Sequence, residues 1–320
     1  MIKSRVTPLQ NYEKNVYSQS GEDGVIDFLL KNLRDDIADY TCVDVGAWDG
    51  VYLSNVKHQI DQGHPAILIE SDETRVESAR RVFRDNPRVK VLTKFIDDKS
   101  RLDLLLSEHR VAVEFLLLSI DIDGADLDVL ESLGEFKPAI IVIEFNPTIP
   151  NHISFRNPKG KRVGSSAKAI FEVATESGYE LIHATSTNLI FIFPNMFSLH
   201  TNLTLTVETA LDDSETIRAL FVGYDGTVHV SGPDSLEYPW HGMTRSLAKL
   251  ELPKSIQKFR NELGLFGKIV FRWCWFKQYW RIALYSRVKK AKLRLGPERK
   301  TLDTSDLTTC TTTKATETVA

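Results

Sequence analysis

The sequence predicts an α/β protein built on a doubly wound, mostly parallel sheet, and two observations carry that reading. From about Tyr17 onward, short apolar runs alternate with amphipathic helical stretches, the order expected of successive βαβ units. The apolar runs at 41–45, 66–69, 89–93, 115–120 and 139–145 are leucine-rich or β-branched without clean polar alternation, as befits strands covered by helices on both faces.

The elements follow in order. Ser20, with Asp23 three residues on, reads as a capping box that opens a helix carrying Val25, Ile26, Phe28, Leu29 and Leu33. Stretches 54–62, 73–83, 101–109 and 125–133 then supply crossover helices, and right-handed crossovers complete the winding. Two further runs, 180–184 and 189–193, flank Thr-Ser-Thr-Asn and predict an antiparallel hairpin closing one edge of the sheet. Beyond them, Leu203-Thr204-Leu205-Thr206-Val207, Ala219 to Tyr224 and Val228-His229-Val230 read as strands, and Tyr238-Pro239-Trp240-His241-Gly242 as a loop. The expected organisation is an N-terminal extension (1–16), a sheet domain (17–195), accessory strands and loops (196–253), a basic aromatic helical segment (254–298) and a disordered threonine-rich tail (299–320).

Composition narrows the function classes. The chain has 320 residues, 42% of them hydrophobic and 26% charged, which allows a sizeable core. A formal net charge of -3 leaves no global footprint for polyanions, so nucleic acid is not an expected partner of the whole chain. Cys42, Cys274 and Cys310 lie far apart, which argues against a zinc site or a disulfide framework and fits a reducing, cytoplasmic setting. No leader-like apolar segment opens the chain, and no run of 18 apolar residues occurs, so neither secretion nor a membrane span is expected. Between Glu262 and Glu298, however, lysines and arginines interleave with Phe266, Phe271, Trp273, Trp275, Phe276, Tyr279, Trp280 and Tyr285 without one acidic residue. Such a helix suits peripheral contact with an anionic membrane, a stacking groove for nucleic acid, or packing on the domain or a second subunit.

The residues able to carry chemistry fall at strand ends. In Val43-Asp44-Val45-Gly46-Ala47-Trp48-Asp49-Gly50 the glycines at 46 and 50 permit a tight turn, and Asp44 is placed to pair with a cation such as the α-ammonium of S-adenosylmethionine. The GxGxxG of dinucleotide folds is absent because position 48 is tryptophan, which counts against a nicotinamide-dependent oxidoreductase. Glu70 ends the next strand, where a carboxylate can accept both hydroxyls of a ribose. Asp121 and Asp123, where the fourth strand meets a helix, alternate on the strand and so point the same way, as a general base or as ligands of a divalent cation such as Mg2+ with Glu144. Asp123 or Asp126 can equally cap the following helix. His152, His183 and His241 are alternative bases, and a non-catalytic ligand-binding module would use the same pocket without turnover.

Four segments together resemble the FkbM-type methyltransferases: Ser18-Gln19-Ser20-Gly21-Glu22-Asp23-Gly24, the turn from Asp44 to Gly50, Leu118-Ser119-Ile120-Asp121-Ile122-Asp123-Gly124, and Val142-Ile143-Glu144-Phe145-Asn146-Pro147. The resemblance extends to their order and spacing over about residues 17 to 195. It implies a Rossmann-like fold and methyl transfer from S-adenosylmethionine to an oxygen, commonly a hydroxyl on a sugar, glycan or secondary-metabolite scaffold. It further implies that Gln19 lies near the cofactor's carboxylate, and that Asp97 and Asp98 fall where methyltransferases contact adenine or in a surface turn. Many members carry Asp-Val-Glu-Gly where this chain has Asp121-Ile122-Asp123-Gly124, which shortens the second carboxylate.

Overall fold

Seven strands form one sheet: β1 (Asp39–Val45), β2 (Ala66–Glu70), β3 (Val89–Thr93), β4 (Glu114–Ile120), β5 (Lys137–Glu144), β6 (Glu180–Ala184) and β7 (Asn188–Ile192). Their spatial order is β3-β2-β1-β4-β5-β7-β6, parallel from β3 through β5, with β7 antiparallel to both of its neighbours. This is a Rossmann-like, doubly wound sheet ending in an antiparallel hairpin, as the sequence predicts. The computed structural model describes residues 1–96, 101–198, 203–232, 235–238, 241–246 and 252–294, and the chain divides into two units, 1–218 and 219–320.

Burial on both faces explains the missing polar alternation. Val43, Val45, Ile67, Ile69, Leu118, Ile120, Ile141 and Ile143 point into one core, while Cys42, Ala66, Leu68, Leu117, Ile140 and Val142 enter a second on the opposite face. Helices α1 (Glu22–Leu30), α2 (Lys57–Asp61), α3 (Glu73–Val82), α4 (Leu102–Glu108), α5 (Asp126–Glu131) and α6 (Ala167–Glu176) belong to this unit, followed by the single turn α7 (Val207–Ala210). Ile2 and Leu9 are buried, and Lys3–Ser4 pairs with Leu211–Asp212, so the first residues are woven into the same unit.

Three local expectations are corrected by hydrogen bonding. Ser20 does not cap α1: Gly21, at φ 98°, holds that position with no side-chain cap. Asp23 instead bonds through Oδ2 to the amides of Val16, Tyr17 and Ser18, at 2.8, 2.7 and 2.8 Å, and Ser18 Oγ accepts the Asp23 amide at 3.1 Å. The box therefore spans five residues, because a carboxylate bonded to three main-chain donors gains more than one bonded to Ser20 alone. Helix α2 begins at Lys57 and not at 54, since Ser54 Oγ accepts from the amides of Val56 and Lys57 and thereby caps the helix from outside it. Leu203 to Val207 is not a strand; Thr206 and Thr209 form a capping box that opens α7.

In the second unit, two hairpins form, Leu220–Val222 with Val228–Val230 and Ser235–Tyr238 with Met243–Ser246, and the basic aromatic segment is helical over α8 (Leu265–Arg294). The tail 299–320 lies outside the described residues.

The turn after β1 is held by a close backbone approach. Gly46 has φ 93°, and a Cβ there would sit 1.7 Å from the carbonyl oxygen of Asp121. Replacing Gly46 with alanine is expected to cost at least about 3 kcal/mol, because backbone on the neighbouring strand end has to move. Gly160→Ala has similar backbone strain, at φ 72°, but nothing within 4 Å of the added methyl. It should cost only about 1–2 kcal/mol. Urea titrations of the two variants test this, and equal losses would contradict the steric account.

Candidate functional site

The sheet order reverses between β1 and β4, and the crevice at such a switch point lies beyond the carboxyl ends of the strands. Carboxylates from β1, β2, β4 and β5 meet at that edge. Asp44, 4% exposed, receives a hydrogen bond from Ser54 Oγ at 3.3 Å and stands opposite Ser119 on the neighbouring strand. Asn55 Nδ2 in turn donates to Ser119 Oγ at 3.2 Å, which completes a buried polar layer under the crevice. Burial pushes the Asp44 carboxyl up to about 6, against the hydroxyls of Ser119 and Ser54, which pull it down, and the nearby Glu70 adds to the rise. No ion pair to Asp44 forms among the described residues, so its charge is held by neutral groups alone.

Glu70 is buried and held by main chain. Its Oε1 accepts from the amides of Ser71 and Asp72, at 2.7 and 2.9 Å, and its Oε2 from the amide of Trp48 at 3.1 Å. Ser71 Oγ also donates to Oε1, at 3.3 Å, so Oε1 is fully engaged while Oε2 has the Trp48 amide as its one hydrogen-bond donor among the described residues. Beside it the Arg75 guanidinium lies 3.3 Å from the ring centroid of Trp48, a stacked cation–π contact, and 3.8 Å from Glu70 Oε2. Trp48 itself has φ 50° and is 42% exposed, unusual for a bulky residue.

The third cluster converges by a turn. β4 ends at Ile120, so Asp121 and Asp123 do not alternate along a strand. The chain instead turns through Asp123, at φ 57°, and Asp126 braces it by accepting the amides of Ile122 and Gly124 at 2.7 and 2.9 Å. Asp126 is thus committed to the turn. Carboxylate oxygens of Asp121, Asp123 and Glu144 come within 4.8 Å of one another. Asp121 and Asp123 are exposed and Glu144 is half-buried; partial desolvation, followed by the like charges of their neighbours, pushes the Asp121 and Glu144 carboxyls above the usual range. Carboxylates this close disfavour one another's charged form, so the two titrate as a pair.

The remaining candidates are placed as follows. Gln19 is exposed in the loop that leads into α1; next to it Ser20 Oγ lies 3.3 Å from Ser186 Oγ in the hairpin turn, and Glu22 bonds Thr185 and Asn188, so the loop passes the same sheet edge as Glu144. Gly50 is required by packing within the protein, since a Cβ there would meet Phe83 and Leu68 at 2.5 and 2.8 Å. Asp97 and Asp98 lie outside the described residues. His183 is fully buried, with Nδ1 2.7 Å from Thr7 Oγ1 and Nε2 3.1 Å from Glu13, and burial drives its pKa down to about 4; it is a neutral structural histidine. His152 is exposed outside the cluster, and His241 belongs to the second unit.

Ser54, Asn55, Ser119, Glu22 and the Trp48–Arg75 stack were not singled out from sequence. Only the run of polar residues directly after the Asp44 turn, Ser54-Asn55, hinted at a buried polar layer.

No protein-family model matches the chain, and no curated protein matches it. Solved structures similar to it include the "citrinin polyketide synthase CMeT domain" (14% identity, TM-score 0.39, covering 55% of this chain and 54% of that one). Others are a SAM-dependent methyltransferase from Aquifex aeolicus (15% identity, TM-score 0.34, covering 52% and 87%) and a TehB-like SAM-dependent methyltransferase from Corynebacterium glutamicum (17% identity, TM-score 0.34, covering 57% and 91%). The chain thus spans about half the length of the polyketide synthase domain. The fold assignment rests on the strand order itself.

The crowded carboxyls carry a stability consequence. Their folded pKa values lie above the unfolded ones, so the associated stability is present below about pH 4 and lost as pH rises through neutrality. Glu144→Gln, which mimics the protonated form, is expected to stabilise the fold at pH 8 by about 1–2 kcal/mol, after allowance for solvent access, and to change little at pH 4. Thermal melts at the two pH values measure this; a lower melting temperature at pH 8 would refute the assignment.

Proposed function

We propose that this chain is a S-adenosylmethionine-dependent methyltransferase of the FkbM type, acting on a hydroxyl of a sugar, glycan or secondary-metabolite acceptor. The observation that carries the reading is the pair of buried carboxylates, Asp44 and Glu70, on adjacent strands beside the switch point. Asp44 has a neutral hydrogen-bond donor in Ser54 and no cationic partner among the described residues, which fits an incoming ammonium group. Glu70 is oriented by three amides, and its Oε2, with the Trp48 amide as its one hydrogen-bond donor among the described residues, is the oxygen we assign to the ribose hydroxyls. Gln19 and Asp97 are assigned to the same ligand by the resemblance alone. Bound S-adenosylmethionine would supply an electrophilic methyl group.

The chain's own task is then to orient the acceptor oxygen and remove its proton. Asp121 is assigned as the base, with Asp123 and Glu144 as its partners: the neighbouring carboxylates raise its affinity for the acceptor's proton. Its raised pKa range brings the base closer to neutral pH than an exposed aspartate, which suits general-base work. We assign the reaction to residues 17–195. The buried, unpaired Cys42 supports a reducing, cytoplasmic setting, and among the described residues no helix is long and apolar enough to cross a membrane.

A second reading is favoured by the convergence of three carboxylates within 4.8 Å. Hard oxygen donors suit Mg2+, and a cation there would polarise an acceptor diol. Transfer activity should survive exhaustive chelation if Asp121 acts as a base, and fall at least about tenfold, with recovery on added Mg2+, if the cation reading holds.

The central reading is tested by calorimetric titration of the protein with S-adenosylmethionine, S-adenosylhomocysteine and NAD. Binding of the two adenosyl ligands is expected, weakened at least about tenfold in Asp44→Ala and Glu70→Ala. Binding of NAD alone would establish the oxidoreductase alternative, and ligand binding without transfer to any hydroxyl acceptor would leave a binding module.

A further inference from the structure

Helix α8 opens with large side chains that are exposed among the described residues. Over its first sixteen residues, Leu265, Phe266, Ile269, Trp273, Trp275, Phe276, Tyr279 and Trp280 are all between 53% and 81% exposed. Only Gly267 is buried, and Val270, Phe271 and Cys274 are partly covered, so one face is seated and about half of the circumference, on the opposite side, presents large apolar groups. A patch of this kind marks an interaction site.

Charge identifies the occupant. Nine lysines and arginines and no acidic residue fall between 263 and 297. The distribution runs along the helix: 265–280 holds the aromatic and aliphatic groups with only Lys268, Arg272 and Lys277, whereas 281–294 holds the other six basic residues. Lys277 lies 4.6 Å from the ring centroid of Trp273, so cation and indole are presented together. A second copy of the chain would set two uncompensated basic helices against each other. A nucleic acid would meet the charge but leave Leu265, Phe266 and Ile269 in water. A bilayer with anionic headgroups accommodates both, with indoles at the headgroup level and basic groups against phosphate.

We infer that α8 is a docking surface for an anionic phospholipid membrane, lying in the plane of the interface. At 1.5 Å per residue the thirty residues of α8 reach about 45 Å, and their charge bars them from the hydrocarbon core. The inference is independent of the reaction assigned to the sheet.

Flotation of the full chain with phosphatidylcholine vesicles, with and without about 30 mol% phosphatidylglycerol, tests it. Recovery with the anionic vesicles alone is expected, diminishing as salt is raised. The exposed charge reversals Lys268→Glu, Arg272→Glu and Lys277→Glu together should lower recovery at least about tenfold. Trp273→Ser with Trp280→Ser should lower it as well, and circular dichroism of each variant verifies that helix content is kept. Recovery that is equal with neutral vesicles, absent with both, or outcompeted by a duplex oligonucleotide would overturn the inference.

Discussion

The close packing of the β1 and β4 strand ends, where the Gly46 backbone lies against the Asp121 carbonyl, is the constraint on which the candidate site depends. Parallel strands on either side of a switch point have connections leaving in opposite directions, so their ends part above the sheet while their backbones are pressed together at its edge. Only a residue without Cβ fits that contact. The same hydrogen-bonded edge, with Asp121 N donating to Val45 O at 2.9 Å, fixes Asp44 and Asp121 on neighbouring strands and so brings two otherwise separate acidic clusters to one crevice.

That crevice concentrates negative charge where little offsets it. Asp44, Glu70, Asp121, Asp123, Asp126 and Glu144 stand at or just after four strand ends, and they differ in what stabilises them. Glu70 and Asp126 take main-chain amides and are thereby fixed as parts of turns, whereas Asp44 takes a hydroxyl and Asp121 and Glu144 crowd each other. Amide donors stabilise a carboxylate fully, while a second carboxyl can do so only by keeping a proton. Groups of the first kind shape the site; groups of the second kind are the ones left with chemistry to perform. Two extensive hydrophobic cores, one on each face of the sheet, offset the cost of holding them.

The loop before α1 serves the same edge by a different route. Glu22 and Asp23 are fully buried, and their carboxylates tie the segment from Val16 to Ser20 to the hairpin at Thr185 and Asn188. A segment that looks from its sequence like an ordinary helix start is thus a fastened strap beside Glu144. The second unit offers a contrast: in α8 the large apolar groups face outward and the charge is of one sign, so its physics is that of a surface and not of a core.

Much of this was legible in the residues alone. Apolar runs without alternation fixed the seven strands to within a few positions, because a strand buried on both faces has no room for polar side chains. Glycine at 46 and acidic residues at 44, 70, 121 and 144 were recognisable because they stand at the ends of such runs. What sequence could not decide was which carboxylate spends its lone pairs on the turn. Asp123 and Asp126 are separated by two residues and look alike, yet one is committed to the amides of Ile122 and Gly124 and the other converges on Glu144, more than twenty positions away. That difference is set by the left-handed turn at Asp123 and by the neighbouring strand β5, and partners brought together across a sheet are visible only once the sheet has formed.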